Sequence, residues 1–412
     1  MTGMRSGLLE VRRAAARAAA RVRLWATRLW VAVRREYRGL KTAEVRRRLV
    51  RELLRSPARG RAAFAFTILV WSFLVVWGRL LVPLGMTPYF RFGGFEVIGF
   101  FENGSGPLFA DSLPILERSG RLFDVVSPFW HSVGPDGQVV GDGYREEVMT
   151  LARSRGLGVV PLVNNAKGTG GNGAEALRDA WVRSALVKEL ADLAVDRGYD
   201  GLDVSFELLP AAARDDYTAF VRELAVALHD RGKKLYVSVF GDVDVPPEVS
   251  GAYDYRAIGE VADCVVLMAY DRHWTATGPG PIAPQPWVEA TLESLLRHVH
   301  PRKVILGVGT HAYDWPAQEE GGRVEYLPTG AALDRAAEVG AEVVYDRESR
   351  QSYYVYSRQG FEREVWVQDR VHLRDKVLLA RRRGLRGVAV WRLGLSEEGA
   401  LEELARTLGR SP

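Results

Sequence analysis

The chain is nearly without cysteine. Cys264 stands alone among 412 residues, so no disulfide can close within the chain and no cysteine-rich zinc module is available. It sits in the apolar run Cys264-Val265-Val266-Leu267, where a small buried hydrophobe is expected rather than a reactive thiol. Phosphate-binding signatures are missing as well. No Walker loop or dinucleotide fingerprint follows any apolar run, and the glycine-rich stretch 167–173 lacks a following GK[ST], so it reads as a flexible rim loop. His131, His273 and His311 lack ligand spacing, so neither a metal nor any other cofactor is expected. With 47% hydrophobic and 26% charged residues, 42 Gly and 19 Pro, the chain is neither collagen-like nor wholly disordered.

Charge is present but unevenly placed. Residues 1–61 hold 18 Lys and Arg against Glu10, Glu36, Glu44 and Glu52, a net +14 that outweighs the net −9 of the remainder. Directly after this segment, residues 62–78 (AAFAFTILVWSFLVVWG) carry no charge. Seventeen residues rise about 25 Å as a helix, the low end of bilayer thickness. If Arg79 snorkels to the interface, residues 80–86 lengthen the span. Trp77 then falls near headgroup level. Positive flanks stay cytoplasmic, so the expected order is a cytoplasmic basic segment 1–61, a single transmembrane anchor 62–86, and a domain 87–412 on the extracellular side of the cell membrane. A cleaved signal peptide fits poorly, because its charged region would run to about 60 residues and no small-x-small site follows. Leu24, Leu29, Val31 and Val33 recur at helical spacing among the arginines. That pattern suits a helix on anionic lipid or a solvated basic helix equally; no recognition motif accompanies the charge, so nucleic acid is not an expected partner.

Beyond residue 86 short apolar runs alternate with helical stretches, the pattern of βα units around a parallel sheet. Eight strands are expected at 95–101, 125–130, 158–164, 201–207, 235–241, 264–270, 303–309 and 387–393, with one long helix at 176–197. Several are near-continuous Val, Ile and Leu, as strands buried on both faces should be. The expected fold is an α/β (β/α)8 TIM barrel. The 77 residues between Gly309 and Gly387 exceed one helix, and their alternating segments at 342–345, 353–356 and 364–367 predict a small β-rich insertion, about 322–370, forming a wall of a cleft.

In such barrels chemistry gathers at the carboxyl ends of the strands. Those ends read Phe101-Glu102-Asn103, Phe129-Trp130-His131, Asn164-Asn165, Asp203-Val204-Ser205-Phe206-Glu207, Met268-Ala269-Tyr270-Asp271 and Trp391-Arg392. Aromatic faces stack on sugar rings and carboxylates supply acid chemistry, so carbohydrate is favoured over phosphate. Within a continuous strand Asp203, Ser205 and Glu207 share one face, and two inward acids in a barrel are costly unless paired or functional.

At this point the chain resembles glycoside hydrolase family 18, the chitinase-like barrels, whose fourth-strand motif is DxxDxDxE. Asp200, Asp203 and Glu207 match three of its four acids; Met268, Tyr270 and Asp271 match the sixth-strand MxYD; Trp391 matches the eighth-strand tryptophan. Segments 127–130, 135–137, 313–315 and 365–369 resemble the family's spore-germination and cortex-lytic branch, and the likeness covers about residues 92–408.

The resemblance implies hydrolysis of an N-acetylglucosamine-containing glycan, peptidoglycan or chitin-like, with retention assisted by the substrate's own acetamido group. Glu207 would be general acid and base, Tyr270 would bond the acetamido group, Asp271 would position the sugar, and Asp203 would raise the pKa of Glu207. Trp391, Trp130 and Trp315 are expected as stacking platforms, with Tyr313 beside them. Asn164 and Asn165 would either bond sugar hydroxyls or cap the next loop. One position departs from the family: its third acid is Ser205 here, a hydroxyl without negative charge. A glycan-binding barrel with impaired catalysis is therefore the alternative expectation.

Overall fold

The computed structural model describes residues 94–104, 106, 110–165, 173–316 and 323–410. The expected basic segment, the expected anchor and most of the glycine-rich loop lie outside the described residues. Among the described residues no helix is long and apolar enough to cross a membrane.

Among the described residues fifteen strands form two sheets. The first ten are β1 Glu96–Phe101, β2 Val125–Val133, β3 Val139–Val140, β4 Gly158–Val159, β5 Leu162–Asn165, β6 Gly201–Ser205, β7 Lys234–Phe240, β8 Cys264–Met268, β9 Val304–Gly309 and β10 His311–Pro316. The rest are β11 Glu325–Pro328, β12 Val344–Asp346, β13 Gln351–Arg358, β14 Phe361–Val367 and β15 Gly387–Trp391. Around the barrel the order is β1-β15-β9-β8-β7-β6-β5-β2, all parallel, and pairing of β1 with β2 closes it. Eight parallel strands thus make the expected closed barrel.

Two-residue periodicity sorts every strand. In β8, Cys264 and Val266 join the barrel interior with Ile98, Phe100, Tyr236 and Ala389, while Val265 and Leu267 pack outward against helices. The same parity turns Asp203 and Ser205 of β6 inward, because Leu202 and Val204 face the helices. At the strand starts the walls are tight: a Cβ on Gly387 would lie 1.8 Å from the Glu96 carbonyl oxygen, so glycine alone fits there.

Local differences from the sequence reading have identifiable causes. The strand expected to run through 207 ends at Ser205, and the helix expected over 176–197 is two, Ala174–Arg178 and Ala180–Asp196. Asp179 makes the break, accepting from the backbone N–H of Trp181 (2.8 Å) and Val182 (3.2 Å) to cap the second helix.

Between β9 and β15 stands an antiparallel sheet in the order β11-β10-β14-β13-β12. It begins at His311, earlier than the expected 322. On one face it packs Ala332 and Ala336 of helix Thr329–Val339 against Ala312, Leu327, Tyr354 and Val365. The other face gathers Tyr313, Trp315 and Trp366 against Ile282 of the loop after β8.

Candidate active site

A cavity of about 440 Å³ opens at the carboxyl ends of the barrel strands. Its apolar part is built from Phe100, Phe129, Leu162, Met268 and Trp391, and its polar part includes Ser205, Glu207, Ser238, Tyr270 and Asp271. Trp391, the last residue of β15, shares parity with Ala389 and so points into the barrel mouth. Phe100 and Phe129 meet it edge-on at 5.2 and 5.5 Å, and Tyr270 stacks along it at 6.2 Å with 18° between planes. These contacts fix the indole as a half-buried floor suited to the apolar face of a sugar.

Glu207 lies two residues past the end of β6 and still reaches the cavity. Side chains of other segments hold its backbone. The Asn165 amide accepts from Glu207 N–H and donates to Glu207 O, both at 2.8 Å, while the Tyr253 hydroxyl donates to Phe206 O at 2.8 Å. Asn165 therefore positions the acid instead of bonding sugar. Its neighbour Asn164 lines the cavity and accepts a hydrogen bond from Ser132.

Asp203 is buried on β6, 1% exposed. The Ser238 hydroxyl shares its proton between the two carboxylate oxygens, at 3.0 and 3.2 Å, and the Ser238 backbone N–H adds a further hydrogen bond. Burial pushes its carboxyl up to about 7, and the Ser238 bonds pull only partly against that. Ser205 is buried between Asp203 and Glu207 in sequence and lines the cavity, so the motif's missing charge falls inside the site.

Tyr270 is buried, and burial, reinforced by Asp271 and Glu207, drives its phenol well above the usual range. At neutral pH it is an O–H donor. Asp271 lines the cavity with a left-handed backbone (φ 60°), and its Oδ1 accepts from His311 Nε2 at 2.8 Å and from the Tyr313 hydroxyl at 3.3 Å.

The structure thus brings Glu207, Ser205, Tyr270, Asp271, Asn164 and Trp391 to one cavity, with Asp203 beneath its polar wall. It does not bring Trp130 or Trp315 there. Trp130 is 2% exposed, donates from Nε1 to Asn103 Oδ1 at 3.1 Å and packs on Tyr144 and Tyr199. Trp315 is 1% exposed, with Nε1 turned to Thr277 O at 3.2 Å under the loop after β8. Both are core residues in place of the expected platforms. Tyr313, also buried, reaches the site through Asp271 and not through the cavity. Sequence reasoning missed Ser238, His311 and the role of Asn165; an isolated Ser or His inside an apolar strand carries no signal of its partner. Among the described residues no group of three His, Cys, Asp or Glu side chains is arranged to hold a metal ion.

Comparison with known proteins agrees with this fold. The model of glycosyl hydrolases family 18 matches residues 110–395. Bacillus subtilis YdhD, named as a sporulation-specific glycosylase, is 31% identical over 277 residues, 66% of this chain and 66% of YdhD. The cortical fragment-lytic enzyme of Bacillus subtilis is 28% identical over 225 residues, 53% of this chain and 52% of that enzyme. The chain therefore spans between half and two thirds of the length of these relatives. Among solved structures, a chitinase from Chromobacterium violaceum superposes with a TM-score of 0.70 at 25% identity, covering 77% of this chain and 100% of the chitinase.

Proposed function

This chain belongs to glycosyl hydrolase family 18, and from that premise we propose that it is a glycosidase acting on N-acetylglucosamine-containing glycan, most naturally peptidoglycan. The observation that carries the reading is the convergence of Glu207, Tyr270, Asp271 and Trp391 on one cavity. Glu207 gives its proton to the glycosidic oxygen as the bond to the anomeric carbon breaks. The substrate's acetamido carbonyl oxygen bonds to that carbon, forming an oxazolinium ion. Glu207, now a carboxylate, takes a proton from water as the water oxygen opens the ring with net retention. Tyr270 donates to the acetamido group, Trp391 supports the distorted ring, and Asp271 orients it. The relatives named for cortical fragments and chitin support this class of substrate.

Ser205 favours a second reading, a glycan-binding barrel with impaired catalysis, because the cavity lacks the preorganised charge of the third acid. Loss of such a partner typically costs on the order of 10²–10³ in rate. For the setting we read residues 62–86 as a single-pass anchor, with 1–61 in the cytoplasm and the barrel outside. The charge asymmetry and the uncharged run support it.

One experiment separates these readings. Cells carrying the full chain, or its Glu207→Gln and Ser205→Asp forms, are given labelled chitooligosaccharide and wall glycan before and after lysis. The expected result is turnover by intact cells, lost by ~10²–10⁴-fold in Glu207→Gln and raised in Ser205→Asp. Turnover indifferent to both substitutions overturns the hydrolase reading, and turnover seen only after lysis overturns the topology.

A further inference from the structure

We propose that His311 is a positioning residue for Asp271, so that the inserted sheet, and not the barrel alone, sets the acidic side of the cavity. This rests on the reading above that Asp271 meets the bound sugar. Asp271 follows β8 in a left-handed conformation that few residues with a side chain adopt, aspartate among the more tolerant of them. The side-chain donors to its Oδ1 come from β10, a strand of the other sheet: His311 Nε2 at 2.8 Å and the Tyr313 hydroxyl at 3.3 Å. His311 and Tyr313 are two residues apart and so lie on one face of β10. With Oδ1 occupied, Oδ2 is the oxygen left to meet a ligand.

Among the described residues the bond to Asp271 is the imidazole's one hydrogen bond. His311 is fully buried, with Tyr270, Tyr313 and Tyr326 around its ring at centroid distances of 6.1, 5.3 and 5.0 Å. Among the described residues its Nδ1 has no hydrogen-bond partner. A phenylalanine would fill such an aromatic box without leaving a ring nitrogen unsatisfied, which is costly when buried. What histidine adds is the donor to Asp271. Because an ionised carboxylate only accepts, the bond requires the proton on Nε2.

The chain path keeps the donor in register with the floor of the site. β9 ends at Gly309 and β10 begins at His311, leaving Thr310 as the sole link. Thr310 N–H donates to Trp391 O at 2.8 Å, and its hydroxyl reaches the carbonyls of Trp391 (3.2 Å) and Arg392 (3.1 Å). Gln368, at the far end of the insertion, donates its N–H to His311 O at 3.1 Å. Barrel floor, donor and acid are thus tied through one residue step.

The test uses the full chain in detergent with nitrogen-15 histidine, alongside His311→Leu, His311→Gln and Asp271→Asn. The expected spectrum shows His311 protonated on Nε2 and bare on Nδ1, with the Nε2 resonance displaced by Asp271→Asn. The Nδ1–H tautomer, or an Nε2 resonance indifferent to Asp271→Asn, overturns the proposal whatever the enzyme turns over. In kinetics His311→Leu should lose ~10–100-fold in kcat, the worth of one hydrogen bond to a charged group, with KM little changed. His311→Gln, which can restore an amide donor, should recover most of it. On the Asp271→Asn background His311→Leu should add nothing, and additive losses overturn the proposal. If the wild type turns over no glycan, the functional reading has failed by itself. Chitooligosaccharide affinity is then measured in the same variants, and equal affinity in His311→Leu and wild type overturns the positioning role.

Discussion

Asp203 in the barrel and Asp314 in the inserted sheet are both sealed from solvent, at 1% and 0% exposure, yet the protein surrounds them differently. Asp314 receives Arg363 Nε at 2.6 Å, the Tyr356 hydroxyl at 2.7 Å and a guanidinium N–H of Arg335. Asp203 receives only the hydroxyl and backbone N–H of one residue, Ser238. Charge and hydrogen bonds saturate the first carboxylate and leave the second short. A saturated buried acid staples a sheet together; an undersupplied one changes protonation near neutral pH, which is useful next to proton transfer. Neutralising each should therefore have opposite consequences.

The largest effect is expected at Asp203. Unfolded, its carboxyl titrates near 4; folded, at about 7. Below pH 4 both states hold the proton and folding carries no penalty. Between pH 4 and 7 the unfolded chain ionises first, so folding weakens as pH rises, and above 7 the full penalty persists. Asp203→Asn removes it, and the variant should exceed wild type by as much as ~4 kcal/mol at pH 8 and by little at pH 4, while losing activity. Denaturant unfolding at the two pH values checks this, and equal differences at both would dissolve the contrast. Next comes Arg363→Met, which strips one cation from Asp314. It should destabilise by ~3 kcal/mol, with glycan affinity of the folded fraction unchanged; a loss of affinity at full foldedness would tie that network to the site. The smallest expected change sharpens the division between core and cavity. Trp130→Phe gives up its bond to Asn103, about 1 kcal/mol of stability, with no shift in KM, whereas a raised KM would return Trp130 to the substrate.

Much of this was legible in the residues. Val/Ile/Leu runs at regular intervals define a parallel barrel because both faces of each strand are buried, and the inward parity of Asp203 and Ser205 follows from Leu202 and Val204. Parity also separates the tryptophans. Phe129 packs with the barrel interior, so its neighbour Trp130 faces the helices, whereas Trp391 shares the inward side with Ala389. An aromatic at a strand end is therefore a weaker cue to a sugar platform than its inward or outward parity. β10 was harder to see, since His311–Pro316 is buried on nearly every residue and shows no polar alternation. The pairing of His311 with Asp271, 40 positions apart, exists only once two sheets are docked.

The single-residue step at Thr310 has a consequence for how this molecule can be remodelled. A strand that leaves the barrel and enters the second sheet across one pinned residue has no hinge there, so the cleft on that side cannot widen by swinging its wall. Grafting a relative's insertion onto this scaffold would have to carry the whole stretch from Gly309 to Arg392, because a junction cut inside it would move the acid and the indole floor independently.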